Sequence, residues 1–474
     1  MIGGIKADIC VIGAGSGGLS VAAGAAQMGA RTVLIERGRM GGDCLNYGCV
    51  PSKSLLAAAC AASRGPSAAA FGVDLVPPRV DGERVHEHIR AVIAAIAPHD
   101  SSERFAGLGV RVIHADAHFT GPGEVAAGEV MVRARRFVIA NGSRPAIPPI
   151  PGLSTTPFLT NETLFDLRVV PERLVIIGAG PIGVEMAQAY RRLGAQVTVI
   201  EAATLLSRDD PELVAVLRQR LRADGVDLIE GARVERVEGN PQAVAVHVVD
   251  GGLPRRIEGS QLLIATGRQA NVDGLNLAAA GIDHTPKGIR VDARLRTGNR
   301  RVFAIGDVIG DYPFTHAAGY HASVVLKNAL FRLPVKADHR ALPRVTYGDP
   351  ELAQVGLTEA EATAHGQACR VLRSAYADND RAQAERRTEG LAKIVVTPAG
   401  HILGAGIVGA HAGELIHIWV LAMQQRLKIG AVATMIAPYP TFGEINKQAA
   451  GRFFAAWLFR PATRRIVRLL ARFG

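Results

Sequence analysis

At 474 residues the chain exceeds what one hydrophobic core organises, which implies two to four domains. Its five cysteines are irregularly spaced apart from one close pair, which excludes the disulfide scaffold of a small secreted protein and fits a reducing, cytoplasmic setting. The net charge of +11 is gathered late, with six arginines and no acid between Arg452 and Gly474, and no nucleic-acid partner is expected from that distribution.

The first element is an apolar strand around Ile9–Ile12, followed by a glycine turn, a helix and a second apolar strand closed by Glu36. Residues 9 to 30 carry no charge and match a membrane span in length, but six of them are glycines arranged as a phosphate loop. The expectation is therefore a buried strand, loop and helix. No signal peptide is expected, because the sequence does not open on a basic and apolar stretch with a small-residue cleavage site.

The same segment recurs. ICVIGAGSGGLSVAAGAAQMGARTVLIE, ending at Glu36, aligns without gaps on LVIIGAGPIGVEMAQAYRRLGAQVTVIE, ending at Glu201, at a constant shift of 165 residues. Gly13, Gly15, Gly18, Gly29 and Glu36 map onto Gly178, Gly180, Gly183, Gly194 and Glu201. Each copy reads as the βαβ unit of a doubly wound parallel sheet, so the fold class is α/β with two Rossmann-like dinucleotide folds. In each, the first glycine allows the tight turn, the second admits a pyrophosphate to the backbone, and the third lets helix and strand pack closely. Glu36 and Glu201 can accept hydrogen bonds from a ribose. A carboxylate at Glu201, with no arginine before Arg208, favours NADH over NADPH, because it accepts a 2′-hydroxyl and repels a 2′-phosphate.

Between the copies lies Gly41-Gly-Asp-Cys44-Leu-Asn-Tyr-Gly-Cys49-Val-Pro51-Ser-Lys53. Two cysteines with four residues between them can close a small ring, and Pro51 marks a helix start that leaves Cys49 near a helix N-terminus, where a thiolate is stabilised. Structural zinc usually takes two such pairs, whereas Cys10, Cys60 and Cys369 are isolated, so no metal site is expected. Further apolar strands end at Ile139-Ala-Asn141-Gly142 and Ile264-Ala-Thr-Gly267, and the proline-rich stretch 143–152 suits a crossover. A third region begins near Ala341, with a packed helix expected over Gly413–Arg426. At the end, Ile466, Leu469, Leu470 and Phe473 share one helical face while Arg464, Arg465, Arg468 and Arg472 take the rest. Such a helix can pack on its own domain, on a dimer partner or on an anionic membrane surface.

GGDCLNYGCVPSK and the order of the other motifs resemble the class I pyridine nucleotide-disulfide oxidoreductases over nearly the whole chain. The resemblance implies FAD in the first fold and a nicotinamide nucleotide in the second, with residues 1–150 and 272–340 forming the FAD domain, 151–271 the NAD(P) domain and 341–474 an α+β dimerisation domain of a homodimer. It implies FAD contacts from Gly13, Gly15, Gly18, Glu36, Arg37, Lys53, Asn141, Gly142, Gly306 and Asp307, with Asp307 on the ribityl chain. Nicotinamide-nucleotide contacts would come from Gly178, Gly180, Gly183, Glu201 and Gly267. Cys49 would face the flavin, Cys44 would exchange with substrate, and Lys53 and Glu185 would form an ion pair beside the flavin. Tyr439-Pro-Thr-Phe-Gly-Glu444 stands where the family has His-Pro-Thr-x-x-Glu. Tyr439 thus replaces an acid–base histidine, and a phenol titrating near 10 is a poor base beside an imidazole near 6.5. Tyrosine there resembles mercuric reductase, yet the C-terminal cysteine pair of that enzyme is absent from LLARFG. The implied activity is dihydrolipoamide dehydrogenase-like or mercuric reductase-like, on a small disulfide, a dithiol or a soft metal. The alternatives are a membrane-docked NADH:quinone or diaphorase-type flavoenzyme and a component of a lipoamide complex.

Overall fold

The computed structural model describes residues 4–473. The chain divides into two compact units. The first comprises residues 1–178, 189–200 and 232–337, and the second 179–188, 201–231 and 338–474. The division passes through the second nucleotide fold.

In the first unit the leading strand β1 (Ile5–Ile12) pairs in parallel with β2 (Thr32–Glu36) on one side and Val130–Ile139 on the other, while Val110–His114 adds beyond β2 and Val302–Ala304 beside Val130–Ile139. Ile9, Cys10 and Val11 are completely buried, as are Phe137, Val138 and Ile139. A parallel strand buried on both faces needs such an unbroken apolar run. Helix α1 (Ser16–Gln27) follows β1, so the uncharged stretch 9–30 is strand, loop and helix. Among the described residues no helix is long and apolar enough to cross a membrane. The strands Gln196–Glu201, Arg173–Ile177 and Gln261–Ile264 form the parallel counterpart in the second nucleotide fold. An antiparallel meander, Arg233–Asn240, Ala243–Asp250 and Leu253–Gly259, precedes the last of these.

The glycine turns behave as their types require. Gly13 and Gly178 have φ of +102° and +109°, and a Cβ on either would collide with the carbonyl oxygen of Ala140 or Ala265 respectively. A Cβ on Gly18 would strike the carbonyl of Gly13, so strand and helix meet only because none is there.

The second unit is built on an antiparallel sheet in the order Pro343–Thr346, Glu351–Gly356, Ile402–Gly409, Leu391–Val396, Arg370–Ala375. Trp419 is wholly buried against it and donates through Nε1 to Asn446 Oδ1 at 2.7 Å. The helix expected over Gly413–Arg426 is realised as two pieces, Ala412–Leu415 and His417–Gln424. It begins behind His411 at φ +61° and closes before Arg426 at φ +55°, two left-handed residues that fix its ends. Among the described residues no group of three or more His, Cys, Asp or Glu side chains is placed to hold a metal ion.

Candidate active site

The redox loop is tied to the first glycine turn through backbone. Gly41 and Gly42 take φ of +86° and +59°, which side-chain-bearing residues rarely adopt. Gly41 N donates to Ala14 O at 3.0 Å, and a Cβ on Gly42 would lie 2.7 Å from Gly15 Cα. The loop then winds into a short helix α2 (Gly42–Asn46), which the sequence did not foretell and which carries Cys44. Asn46 Nδ2 holds its start by donating to Met40 O and Gly42 O at 3.0 and 2.9 Å. Helix α3 (Cys49–Ala68) starts at Cys49 itself, two residues before Pro51. Cys49 therefore stands where unpaired amides and the positive end of the helix favour an anion.

Both cysteines are free thiols in the structure, Cys44 half-buried and Cys49 exposed. They hydrogen-bond to each other, and the Cys44 thiol is the main cause that draws Cys49 down to about 6; burial opposes it, while the Thr315 hydroxyl and the Lys53 cation assist. Cys44 is pushed well above the ordinary thiol range, first by the same bond to Cys49 and then by burial. One proton therefore stays on Cys44 and the thiolate is Cys49. Thr315 Oγ1 lies 3.4 Å from Cys49 Sγ and is the first residue of the helix Thr315–Ala329.

The two glutamates that close the nucleotide strands have a further duty. Glu36 accepts from Ala14 N at 2.6 Å and Gly38 N at 2.7 Å, and Glu201 accepts from Ala179 N at 2.8 Å and Ala203 N at 2.9 Å. Each carboxylate locks its own glycine turn, leaving further oxygen lone pairs for a ribose. Arg37, beside Glu36, is exposed.

At the other end of the predicted flavin contacts, Gly306 (φ +70°) donates its amide to Nδ1 of the fully buried His321 at 3.3 Å. Asp307 receives the Ser143 hydroxyl at 2.6 Å, and burial raises its carboxyl above the usual range. Arg268, next to Gly267, joins the parts: it donates to Ser143 Oγ at 2.7 Å and Ser143 O at 3.0 Å and stands 3.4 Å from Asp43 and 3.6 Å from Asp307. Asn161 adds a bond to Asp43 Oδ1 at 3.0 Å. The residue before the redox cysteine and the aspartate of the flavin motif thus share one guanidinium.

The residues present fit FAD. Among the described residues Asn141 Oδ1 is buried without a hydrogen-bond partner, an arrangement native interiors avoid unless another group supplies the donor. A Cβ added at Gly15 would point into open space at the mouth of the turn, where backbone amides at a helix N-terminus cradle a diphosphate.

In the second unit Tyr439 is 70% exposed, and its hydroxyl donates to Asp380 Oδ2 at 2.9 Å. That carboxylate raises the phenol above its ordinary range. Glu444 opens the helix Glu444–Leu458. Glu185 is buried and accepts from Tyr347 N at 2.9 Å. His316 stacks on Phe314 with ring centres 5.3 Å apart, His411 packs on Phe442, and His417 bonds to Glu414 O. Sequence reasoning missed Arg268, Ser143, Asn161 and Thr315. The only local signals were their neighbours, Gly142, Gly267 and His316.

Comparison with known proteins matches residues 7–322 to the pyridine nucleotide-disulphide oxidoreductase family and residues 342–450 to the dimerisation domain of that family. A mercuric reductase of Streptomyces lividans is 34% identical, covering 94% of this chain and 96% of the relative, and a dihydrolipoyl dehydrogenase of Geobacillus stearothermophilus is 32% identical with the same coverage. The Cu(II) complex of the HOCl-induced flavoprotein disulfide reductase RclA from Escherichia coli superposes with a TM-score of 0.84 at 29% identity, covering 93% of this chain and 99% of that one. LpdA from Mycobacterium tuberculosis gives 0.86 at 26%, covering 95% and 100%. Both matched segments follow in the order that the glycine turns, the thiol pair and the antiparallel sheet require. The chain belongs to the pyridine nucleotide-disulphide oxidoreductase family, as an FAD-dependent enzyme that exchanges electrons between a nicotinamide nucleotide and a thiol–disulfide centre.

Proposed function

We propose that the enzyme works in the reducing direction, using NADH to reduce a thiophilic acceptor, with a soft metal ion as the first candidate and a small disulfide as the second. The observation that carries this is the state of Tyr439: a phenol raised by Asp380 stays protonated and cannot take a proton from a dithiol at neutral pH. Reduction of a soft cation needs no such base, because a thiolate binds it directly. The similarity to a mercuric reductase and to a disulfide reductase solved as a Cu(II) complex is in keeping with such acceptors.

Bound FAD would supply two-electron transfer between the nicotinamide and the disulfide. The chain's own groups do the rest. Gly13, Gly15, Gly18, Glu36, Arg37, Asn141, Gly142, Gly306 and Asp307 hold FAD, and Gly178, Gly180, Gly183, Glu201 and Gly267 hold the nicotinamide nucleotide. Glu201 favours NADH because its carboxylate repels a 2′-phosphate. Lys53 stabilises the anion on Cys49 while Thr315 donates to it. Cys44 delivers the exchanging sulfur, releasing its proton to solvent as it binds the acceptor. The enzyme acts as a cytoplasmic homodimer through residues 341–474, with Tyr439 and Glu444 facing the partner's thiol pair. The FAD domain spans 1–150 and 272–340, and the NAD(P) domain 151–271.

The test is steady-state NADH and NADPH oxidation by the purified enzyme with Hg(II), Cu(II), lipoamide, glutathione disulfide and a quinone, alongside dihydrolipoamide-driven NAD+ reduction. Metal- or disulfide-dependent NADH oxidation that vanishes in Cys44→Ser supports the reading. Fast dihydrolipoamide oxidation would overturn it, and quinone reduction that survives in Cys44→Ser would move the assignment to a diaphorase.

A further inference from the structure

The helix Pro461–Leu470 lies beyond residue 450, where the matched dimerisation domain ends, and none of its residues is buried. Ile466, Leu469 and Leu470 are 57%, 53% and 63% exposed, and Phe473, just past the helix, 81%. At the α-helical period these four occupy an arc of roughly 100°, and Arg464, Arg465, Arg468 and Arg472 occupy a second arc of about the same width. Trp457, Leu458 and Phe459 are exposed at the junction with the preceding helix, and the Arg460 guanidinium sits 5.5 Å from the Trp457 ring centre. From Ile445 to the last residue there is no aspartate or glutamate.

We propose that residues 457–473 form a docking surface for an anionic lipid bilayer, holding the reductase at the membrane face. A second copy of the segment is a poor occupant. Two-fold pairing would bring arginines toward arginines with no acid within the segment to neutralise them. A lipid surface serves both arcs at once: the apolar side chains and Trp457 enter the boundary between headgroups and acyl chains, and the arginines extend to the phosphates. A helix this short, held by a few apolar side chains and its arginines, binds reversibly and depends on anionic lipid. The inference is independent of the electron acceptor.

The FAD-loaded enzyme is sedimented with vesicles of phosphatidylcholine alone and of phosphatidylcholine with phosphatidylglycerol. Binding is expected only to the anionic vesicles and is expected to be reversed by salt. Replacing Arg464, Arg465, Arg468 and Arg472 by glutamine weakens it by roughly fivefold per arginine. Leu469→Asp abolishes it while leaving lipid-free NADH oxidation unchanged. Light scattering of Leu469→Asp reads the competing occupant. No sedimentation with anionic vesicles, undiminished sedimentation of Leu469→Asp, or a fall in that variant's oligomeric mass would each overturn the proposal, the last by assigning the face to contact between copies.

Discussion

The two glycine folds, separated by 165 residues in sequence, repeat each other down to single hydrogen bonds. Ala14 and Ala179 donate to the closing glutamates, Gly38 and Ala203 donate to the other carboxylate oxygens, and Gly41 and Leu206 both donate back to the turn, to Ala14 O and Ala179 O. Gly41 and Leu206 also share a positive φ, +86° and +46°. After that point the copies part. Gly42 stays left-handed and packs on Gly15, so the first copy runs directly into the Cys44 helix. The second runs through Ser207 and Arg208 into Asp210, which caps the helix Pro211–Ala223. One scaffold thus became a redox centre where a second glycine let the chain press against the phosphate turn, and a plain nucleotide site where it did not.

Removing the redox sulfur is the largest way to break the comparison. Cys44→Ser should lower acceptor-dependent NADH oxidation about a thousandfold or more while leaving FAD bound, measured by steady-state turnover and flavin absorbance. Next is the shared guanidinium: Arg268→Gln leaves Asp307 and Asp43 without their cation. It should cost about 1–3 kcal/mol, seen as faster FAD loss on dilution and a lower melting temperature of the holoenzyme. In the second fold, Glu201→Gln removes the carboxylate charge, and the ratio of kcat/KM for NADH over NADPH should fall roughly tenfold. An unchanged ratio would mean that another residue sets the preference.

The thiolate gives a pH prediction. The Cys49 thiol is drawn below its ordinary value, to about 6, so its anion is present above that pH and is lost as pH falls through it. Alkylation of the reduced enzyme by iodoacetamide should fall about tenfold per unit below that point. Thr315→Val should move the midpoint upward by removing a hydroxyl that stabilises the anion. The smallest effect is expected at Tyr439: Tyr439→Phe should change metal-dependent turnover less than about threefold, because a phenol held by Asp380 is not a base. Tyr439→His should raise dihydrolipoamide oxidation.

The duplication, the glycine turns, the redox loop and the strand ends were legible because each is a local pattern with one physical meaning. The network around Arg268 was not. Its bonds join residues more than 100 positions apart, such as Asn161 to Asp43 and Arg268 to Ser143, and none belongs to a local motif of charge or spacing. Thr315 was hidden for the same reason, 266 residues from Cys49. Helix α2 is five residues long, below the length at which periodicity carries a signal. The meander of residues 233–259 lacks the glycine signature of the nucleotide folds, and only the valine-rich Ala243–Asp250 signals a strand there.

The central claim, that electrons pass through the Cys44 and Cys49 pair, is tested most directly by anaerobic titration of the FAD-loaded enzyme with NADH while visible absorbance and free thiols are followed together. The account predicts that two electrons per FAD produce a long-wavelength thiolate-to-flavin band and two new thiols, both lost in Cys49→Ser. Direct bleaching of the flavin with no new thiols would contradict it.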